Sequence, residues 1–395
     1  GIAASWWLMS RRLKRLADDT DSITVPDVLA AKFQDRWHLV RAVAVIIIIT
    51  MVTTYVTAQM VASGKALEGF MNLDYELGVI IGSAIIIGYT FVGGHKAVSY
   101  TDVLQGVLML LGLIAVPIVA IIEAGGWNNI LATLRAEDPA LVSMFSLTDG
   151  IAGWVAAISF VAIGLPFLGV PQLLVRYMSA RDDVELKKAR WVSVAVLLVF
   201  TFGAVTAGIA GRALFPGLED SEAIFPTLSS ELFPPLLSGV LLVIVLSAIM
   251  STADSLLLLA SSAVVRDTVQ HIFGSKKSDH ELARYGKIVT ILIGIVGIAV
   301  AIPDAKFIFD FVLYAWSGLG AAFGPTLLCV LYYKRTTWAG VIAGMIAGFA
   351  TSIIWVEVFK EGSHGLYEAI PGFIAGFVVT FVVSRLSYRD PESGG

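Results

Sequence analysis

The chain has 395 residues, of which 57% are hydrophobic and only 15% are charged, whereas soluble domains carry about 25% charged residues. A net charge of −4 argues against nucleic acid as a partner, and the single cysteine excludes an intramolecular disulfide and a cysteine-rich metal site. Apolar runs recur at lengths near the ~20 residues that cross a bilayer. The composition predicts an all-α polytopic membrane protein in a lipid bilayer, with no obligatory protein partner evident.

The apolar runs predict ten full spans after a half-span remnant at 1–9. The spans are 42–64, 78–94, 103–123, 151–171, 191–211, 236–263, 288–303, 307–333, 338–357 and 369–385. If they alternate in direction, 22 of the 27 Lys and Arg residues fall in one set of loops and 5 in the other. Because cytoplasmic loops carry the basic excess, we expect a multi-pass protein of the plasma (inner) membrane whose C-terminus is cytoplasmic.

The predicted span 151–171 runs into "AIGLPFLGVPQLLVRY" (162–177), which holds two glycines and two prolines. Proline removes amide donors and glycine relaxes the backbone, so we expect the helix to break at 164–170. Irregular backbone at membrane depth is tolerated where protein or a cavity satisfies it, and such breaks line substrate sites in secondary transporters. The alternative is a proline kink that serves packing alone.

The predicted span 236–263 carries a polar face. An arc of about 160° on a helix of 100° per residue holds its central polar side chains, Ser247, Ser251, Thr252, Asp254 and Ser255. An intramembrane carboxylate usually faces a partner or a wet cavity, and clustered oxygens suit a hard cation such as Na⁺. The alternative for each hydroxyl is a hydrogen bond to its own helix.

Asp102 is a candidate second carboxylate for the same cation site, since it stands at the start of the span 103–123. Its alternative role is a favourable placement at a helix N-terminus. The spans contain no HExxH or GxSxG motif, so an enzyme has little support. A transporter of a small-molecule substrate is favoured.

Six segments, in order along nearly the whole chain, carry a family resemblance. They are "ITVPDVLAAKFQDR" (23–36), "TFVGGHKAVSYTDVLQG" (90–106), "GVPQLLVRYMSA" (169–180), "LSAIMSTADSLLLLASSAVVRD" (246–267), "LYAWSGLGAAFGP" (313–325) and "HGLYEAIPGF" (364–373). Through them the chain resembles the sodium/solute symporter family, and most closely its sodium/proline symporter branch.

The resemblance implies a leucine-transporter-type fold of two inverted five-helix repeats in a single transmembrane domain, 1–395. The first repeat would cover about 1–123 and the second about 151–333, with peripheral spans at 338–385. An N-terminal peripheral helix and the first broken core helix would lie upstream of Gly1, so the fold would be N-terminally incomplete.

The resemblance also implies where sodium, the coupling ion, would bind. The conserved sodium site of the family takes a carbonyl and two hydroxyls that map onto Ala248, Ser251 and Thr252. A second sodium, held by some members, maps onto Ser251 again together with Asp254, Ser255 and Asp102. The implied function is sodium-driven import of a small solute by alternating access.

The substrate positions of the proline branch match less well. Its aromatic and proline positions map onto Tyr55, with Gln59 one turn away, and onto Ile163, Phe167 and Pro171, where a tryptophan and a tyrosine are replaced by isoleucine and phenylalanine. Trp316 could supply an aromatic wall, and Gly164 begins a "GLP" that also fits the pantothenate branch. Proline is the leading substrate, and pantothenate or a short carboxylate is the alternative substrate. The alternative function is a solute sensor of the same fold that does not transport.

Overall fold

The computed structural model describes residues 1–143, 150–303 and 308–389, apart from the side chains of 92–97, 99 and 279. These ranges are helical and contain no strand, so the all-α class is as predicted. The helices are α1 (Ile2–Ser5, a π-helical turn Trp6–Ser10, and Arg11–Asp19), α2 (Val25–Lys32), α3 (Leu39–Met71), α4 (Tyr75–Glu123), α5 (Trp127–Glu137), α6 (Ile151–Ala162), α7 (Pro171–Met178), α8 (Asp183–Leu214), α9 (Ile224–Leu232), α10 (Pro235–Ser262, continued by a π helix Ala263–Ile272), α11 (Asp279–Ala301), α12 (Ile308–Tyr332), α13 (Trp338–Ile354, continued by a π helix Trp355–Phe359) and α14 (Ala369–Ser387).

Within the described ranges, nine helices are long and apolar enough to cross a membrane, and Tyr75–Phe91 is a shorter apolar helix. Together they correspond to the ten predicted spans. The sequence places a loop between 94 and 103, but α4 runs through it as one helix of 49 residues. The helix is not straight, because the side chains of Tyr89 and Thr101 hydrogen-bond to each other although 12 residues span about 18 Å on a straight helix. The chain therefore bends back between its two apolar halves, and each half crosses the bilayer once. Polar composition marks where a helix leaves an apolar layer, not where its backbone hydrogen bonds end.

Two helices form the centre of the bundle. In the apolar 18-residue stretch of each helix, 56% is buried in α3 and 67% in α12. The value for α8 is 17%, so most of its apolar surface is left for lipid. The central cluster includes Ile48 and Met51 of α3, Leu256 of α10 and Phe323 of α12. Since lipid is as apolar as these side chains, close packing and not water exclusion holds them together.

The helix break predicted at 164–170 is present. Helix α6 ends at Ala162, a 3₁₀ turn covers Leu165–Leu168, and α7 starts again at Pro171, a first-turn position where the missing amide of proline costs nothing. The break packs on α12 backbone to backbone, because a Cβ added at Gly320 would overlap Pro166. Glycine there lets the irregular segment lie against the centre of the bundle.

Charged side chains gather at one end of the bundle, here called the basic end. There the guanidinium of Arg41 is buried between the carboxylates of Asp27, 2.9 Å away, and Asp267, to which Thr24 also donates at 3.1 Å. Burial acts to raise the pKa of Asp27, but the hydrogen bond and charge of Arg41, with the charge of Arg266, lower it below its ordinary value. This buried network joins α2, α3 and the end of α10.

Salt bridges also connect segments at the end of the bundle opposite the basic end. Lys65 of α3 lies 3.0 Å from Asp220 and 2.8 Å from Glu222. The carboxylate of Glu222 accepts hydrogen bonds from the amides of Ile308 and Phe309, at the start of α12. The segment before α9 is thereby linked to both central helices.

Candidate functional site

Three of the predicted cation ligands lie together on α10. Ser251 Oγ donates to the carbonyl oxygen of Ala248 at 3.0 Å, and Thr252 Oγ1 donates to the same oxygen at 3.1 Å. Both hydroxyl groups are half-buried. Each hydroxyl uses its proton in the helix and keeps oxygen lone pairs to offer outward. The two hydroxyls can therefore bond to their own helix and still present oxygen atoms to a cation.

Asp254 is separate from that cluster. Its side chain is fully buried, and neither of its carboxylate oxygens has a hydrogen-bond partner among the described residues. A carboxylate buried at membrane depth without a partner is costly, and the cost falls when a cation or a proton joins it. The polar face predicted from the sequence is thus divided, since Ser247 and Asp254 are buried while Ser251, Thr252 and Ser255 are half-buried.

Asp102 and Ser255 are brought together by a residue that the sequence argument missed. The guanidinium of Arg176, on α7, lies 2.9 Å from Asp102 Oδ2 and 3.0 Å from Ser255 Oγ. The other carboxylate oxygen of Asp102 is buried and has no partner in the described part of the chain. In the sequence, Arg176 is only one basic residue just beyond the predicted span 151–171. Its position five residues after Pro171, in the helix that restarts after the break, was the available signal.

This charged group lines a cavity of about 750 Å³ that is bounded by α4, α7, α10 and α11. Asp102, Gln172, Arg176 and Ser255 lie on its wall, and Arg266 lies on its wall near the basic end. The side-chain oxygen of Gln172 is buried and unpaired among the described residues. Unsatisfied polar atoms on a cavity wall are suited to water or a polar solute.

A second group of predicted residues forms an aromatic cluster at the helix break. The ring of Trp316 lies edge-on to the rings of Phe167 and Tyr55, with centroid distances of 4.9 and 6.3 Å. Edge-on pairs are favourable because the positive rim of one ring meets the negative face of the other. Three helices, α3, α12 and the broken α6–α7 segment, therefore meet at Trp316.

The remaining predicted substrate residues are distributed around this cluster. Gln59 is buried on α3, one turn from Tyr55, and Pro171 is buried at the start of α7. Gly164 lies against the backbone of Gly1, where an added Cβ would overlap. Ile163 belongs instead to a small apolar cluster with Leu313 and Ile370. Ile163 thus packs with residues of both α12 and α14.

Sequence comparisons place this arrangement among known proteins. Residues 1–348 match the family model described as the sodium:solute symporter family. The osmoregulated proline transporter OpuE of Bacillus subtilis (strain 168) is 36% identical over 398 residues, which cover 100% of this chain and 80% of the relative. The high-affinity proline transporter PutP of the same strain is 37% identical, covering 100% and 83%. A sodium/proline symporter of Staphylococcus aureus (strain bovine RF122 / ET3-1) is 38% identical over 402 residues, covering 98% and 78%.

A structural comparison agrees with the sequence comparisons. The solved structure of a Na⁺-coupled sialic acid symporter, in a substrate-bound outward-open state, matches with a TM-score of 0.75 over 98% of this chain and 83% of that chain. Its sequence identity to this chain is 20%, so the likeness concerns the fold alone. The leucine-transporter-type fold that the resemblance implied is thereby confirmed.

Proposed function

The chain belongs to the sodium:solute symporter family, and from this premise we propose that it imports proline together with sodium by alternating access. It is a multi-pass membrane transporter and not an enzyme, and sodium is its coupling ion. One observation carries the choice of proline: relatives named as proline transporters share 36–38% of residues over essentially the whole chain.

We propose that sodium binds at the oxygen cluster of Ala248, Ser251 and Thr252. The two hydroxyl oxygens lie within 3.1 Å of one carbonyl oxygen, and oxygen ligands at this density suit a hard monovalent cation. Further carbonyl ligands would have to come from a neighbouring helix. Sodium at this position would bind α10 to that helix and so couple ion binding to their relative movement.

We propose that Asp102 and Ser255 offer a second cation position, next to Asp254. The guanidinium of Arg176 lies at that position in this conformation, so a sodium ion and Arg176 would compete for the same oxygens. The buried, unpaired carboxylate of Asp254 supports the need for an additional positive charge in this part of α10. The number of sodium ions per cycle then depends on whether Arg176 leaves.

We propose that proline binds against the rings of Tyr55, Phe167 and Trp316. The pyrrolidine ring is apolar and flat enough to pack on aromatic side chains, while its ammonium and carboxylate need polar partners. Gln59 supplies an amide one turn from Tyr55, and the 3₁₀ turn Leu165–Leu168 offers irregular backbone. We place Gly164 and Pro171 on the side of the proline site formed by the helix break, and Ile163 behind them.

The orientation and internal symmetry are also proposals. The basic end faces the cytoplasm, which the 22-to-5 division of Lys and Arg supports, and the C-terminus lies on that side of the plasma (inner) membrane. Two repeats, about 1–123 and 151–333, form one transmembrane domain with peripheral spans at 338–385. The helix break after Ala162 supports the start of the second repeat at α6.

Uptake into proteoliposomes tests the function. With an inward sodium gradient, labelled proline is expected to accumulate, and replacing sodium with potassium is expected to abolish accumulation. Accumulation of pantothenate or a short carboxylate in place of proline would overturn the substrate. Sodium-dependent proline binding without counterflow would overturn transport itself and favour a sensor.

A further inference from the structure

A second cavity, of about 550 Å³, lies where the end of α1 meets the end of α12 at the basic end. Four cationic side chains and one anionic side chain line it: Arg11, Arg12, Arg15, Lys32 and Asp19. We call this cavity the basic pocket. None of the cation or substrate residues proposed above lines it.

Nearby anions leave the basic pocket with an excess of positive charge. Asp183 of α8 pairs with Arg11 at 2.6 Å and more loosely with Arg15 at 3.4 Å. The guanidinium carbon of Arg12 lies over the ring of Tyr332, 4.1 Å from its centroid, and Arg12 donates to the carbonyl of Leu331 at 3.3 Å. With Asp19 and Asp183 both counted, four cations face two anions. Several cations held in one concavity repel each other unless an anion joins them.

The rim of the basic pocket has the properties of a membrane interface. Trp7 lines the pocket and is 49% exposed, and its ring meets that of Trp191, which is 63% exposed, edge-on at 5.6 Å. The guanidinium of Arg190 lies 4.6 Å from the centre of the Trp7 ring. Exposed tryptophans next to arginines are typical of the depth at which lipid headgroups lie. The basic pocket therefore opens where a phosphate group would be found.

We propose that the basic pocket binds an anionic phospholipid of the leaflet that contacts the basic end. The phosphodiester accepts hydrogen bonds from Arg12, Arg15 and Lys32, and an acyl chain follows the exposed rings of Trp7 and Trp191. Basic loops alone are common on one side of membrane proteins. The concave shape, the excess of cations over anions and the aromatic rim distinguish this site and favour an anionic headgroup over a zwitterionic one.

Native mass spectrometry of the detergent-purified protein, titrated with phosphatidylglycerol or phosphatidylcholine, tests the proposal. One phosphatidylglycerol is expected to bind in preference to phosphatidylcholine. The triple variant Arg12→Gln, Arg15→Gln, Lys32→Gln is expected to lower that affinity roughly hundredfold. The control Lys276→Gln, Arg284→Gln, Arg389→Gln removes three exposed basic side chains elsewhere and is expected to leave it unchanged.

A second variant tests the same site by a gain of lipid affinity, which poor folding would not produce. Asp19→Asn removes a pocket anion and is expected to strengthen phosphatidylglycerol binding roughly fivefold. An equal loss of phosphatidylglycerol affinity in the triple variant and its control would show that only the total charge matters, and would overturn the site. Displacement of the lipid by excess inorganic phosphate would overturn the lipid assignment, because it would show that the pocket recognises a free anion.

Discussion

Replacing Arg41 by methionine removes the cation that two buried carboxylates share. The side chains of Arg41, Asp27 and Asp267 are 7%, 7% and 0% exposed, and breaking a buried ion pair from one side costs about 3–5 kcal/mol. Part of the loss is offset, because Arg266 stays 3.3 Å from Asp27 and Thr24 still donates to Asp267. We therefore expect the lower end, about 3 kcal/mol.

Thermal unfolding of the purified protein measures this loss. At about 2 °C per kcal/mol for a large domain, the expected decrease in Tm is roughly 6 °C. Arg36→Met is the matched control, because Arg36 is an exposed arginine in the turn just before α3, and a surface change is expected to stay within about 0.5 kcal/mol. Adding Asp267→Asn to Arg41→Met should recover part of the Tm. Equal Tm values for the two arginine variants would refute the reasoning.

Three further predictions concern the transport site. Arg176→Gln removes the partner of Asp102 and frees this carboxylate for sodium. An ion pair this exposed contributes about 1 kcal/mol at most, so the half-saturating sodium concentration should fall by no more than about fivefold. A rise would contradict competition between Arg176 and sodium. Asp254→Asn should lower the Hill slope for sodium in uptake assays, and an unchanged slope would give Asp254 a structural role. Gly320→Val should cost about 1–3 kcal/mol in thermal unfolding by overpacking the helix break, whereas Gly208→Val, which meets nothing within 4 Å, should leave the Tm unchanged.

Features encoded by neighbouring residues could be predicted from the sequence. The break at 164–170 follows from the glycines and prolines in that stretch, and the contacts of Ala248, Ser251 and Thr252 follow from one turn of helix. Apolar length was equally informative, since it located the membrane helices to within a few residues at most ends.

Features set by packing between distant segments could not be predicted. Arg176 reads as a loop charge until α7 is placed beside α4 and α10, where it meets Asp102 and Ser255. The apolar neighbours of Ile163 include Leu313 and Ile370, which are distant in the sequence, and its role as a substrate contact stays a prediction. The buried partners of Arg41 likewise come from segments 14 and 226 residues away.

The central claim is that the hydroxyls of Ser251 and Thr252 hold the coupling sodium. The most direct test is sodium-dependent proline uptake by the double variant Ser251→Ala, Thr252→Ala, compared with Ser229→Ala, Ser230→Ala. The control pair lies on α9, donates to carbonyls of its own helix in the same way, and lines neither cavity. Losing two oxygen ligands at about 1 kcal/mol or more each should raise the half-saturating sodium concentration at least tenfold in the first variant and leave it unchanged in the second. Unchanged sodium dependence in the first variant would contradict the assignment.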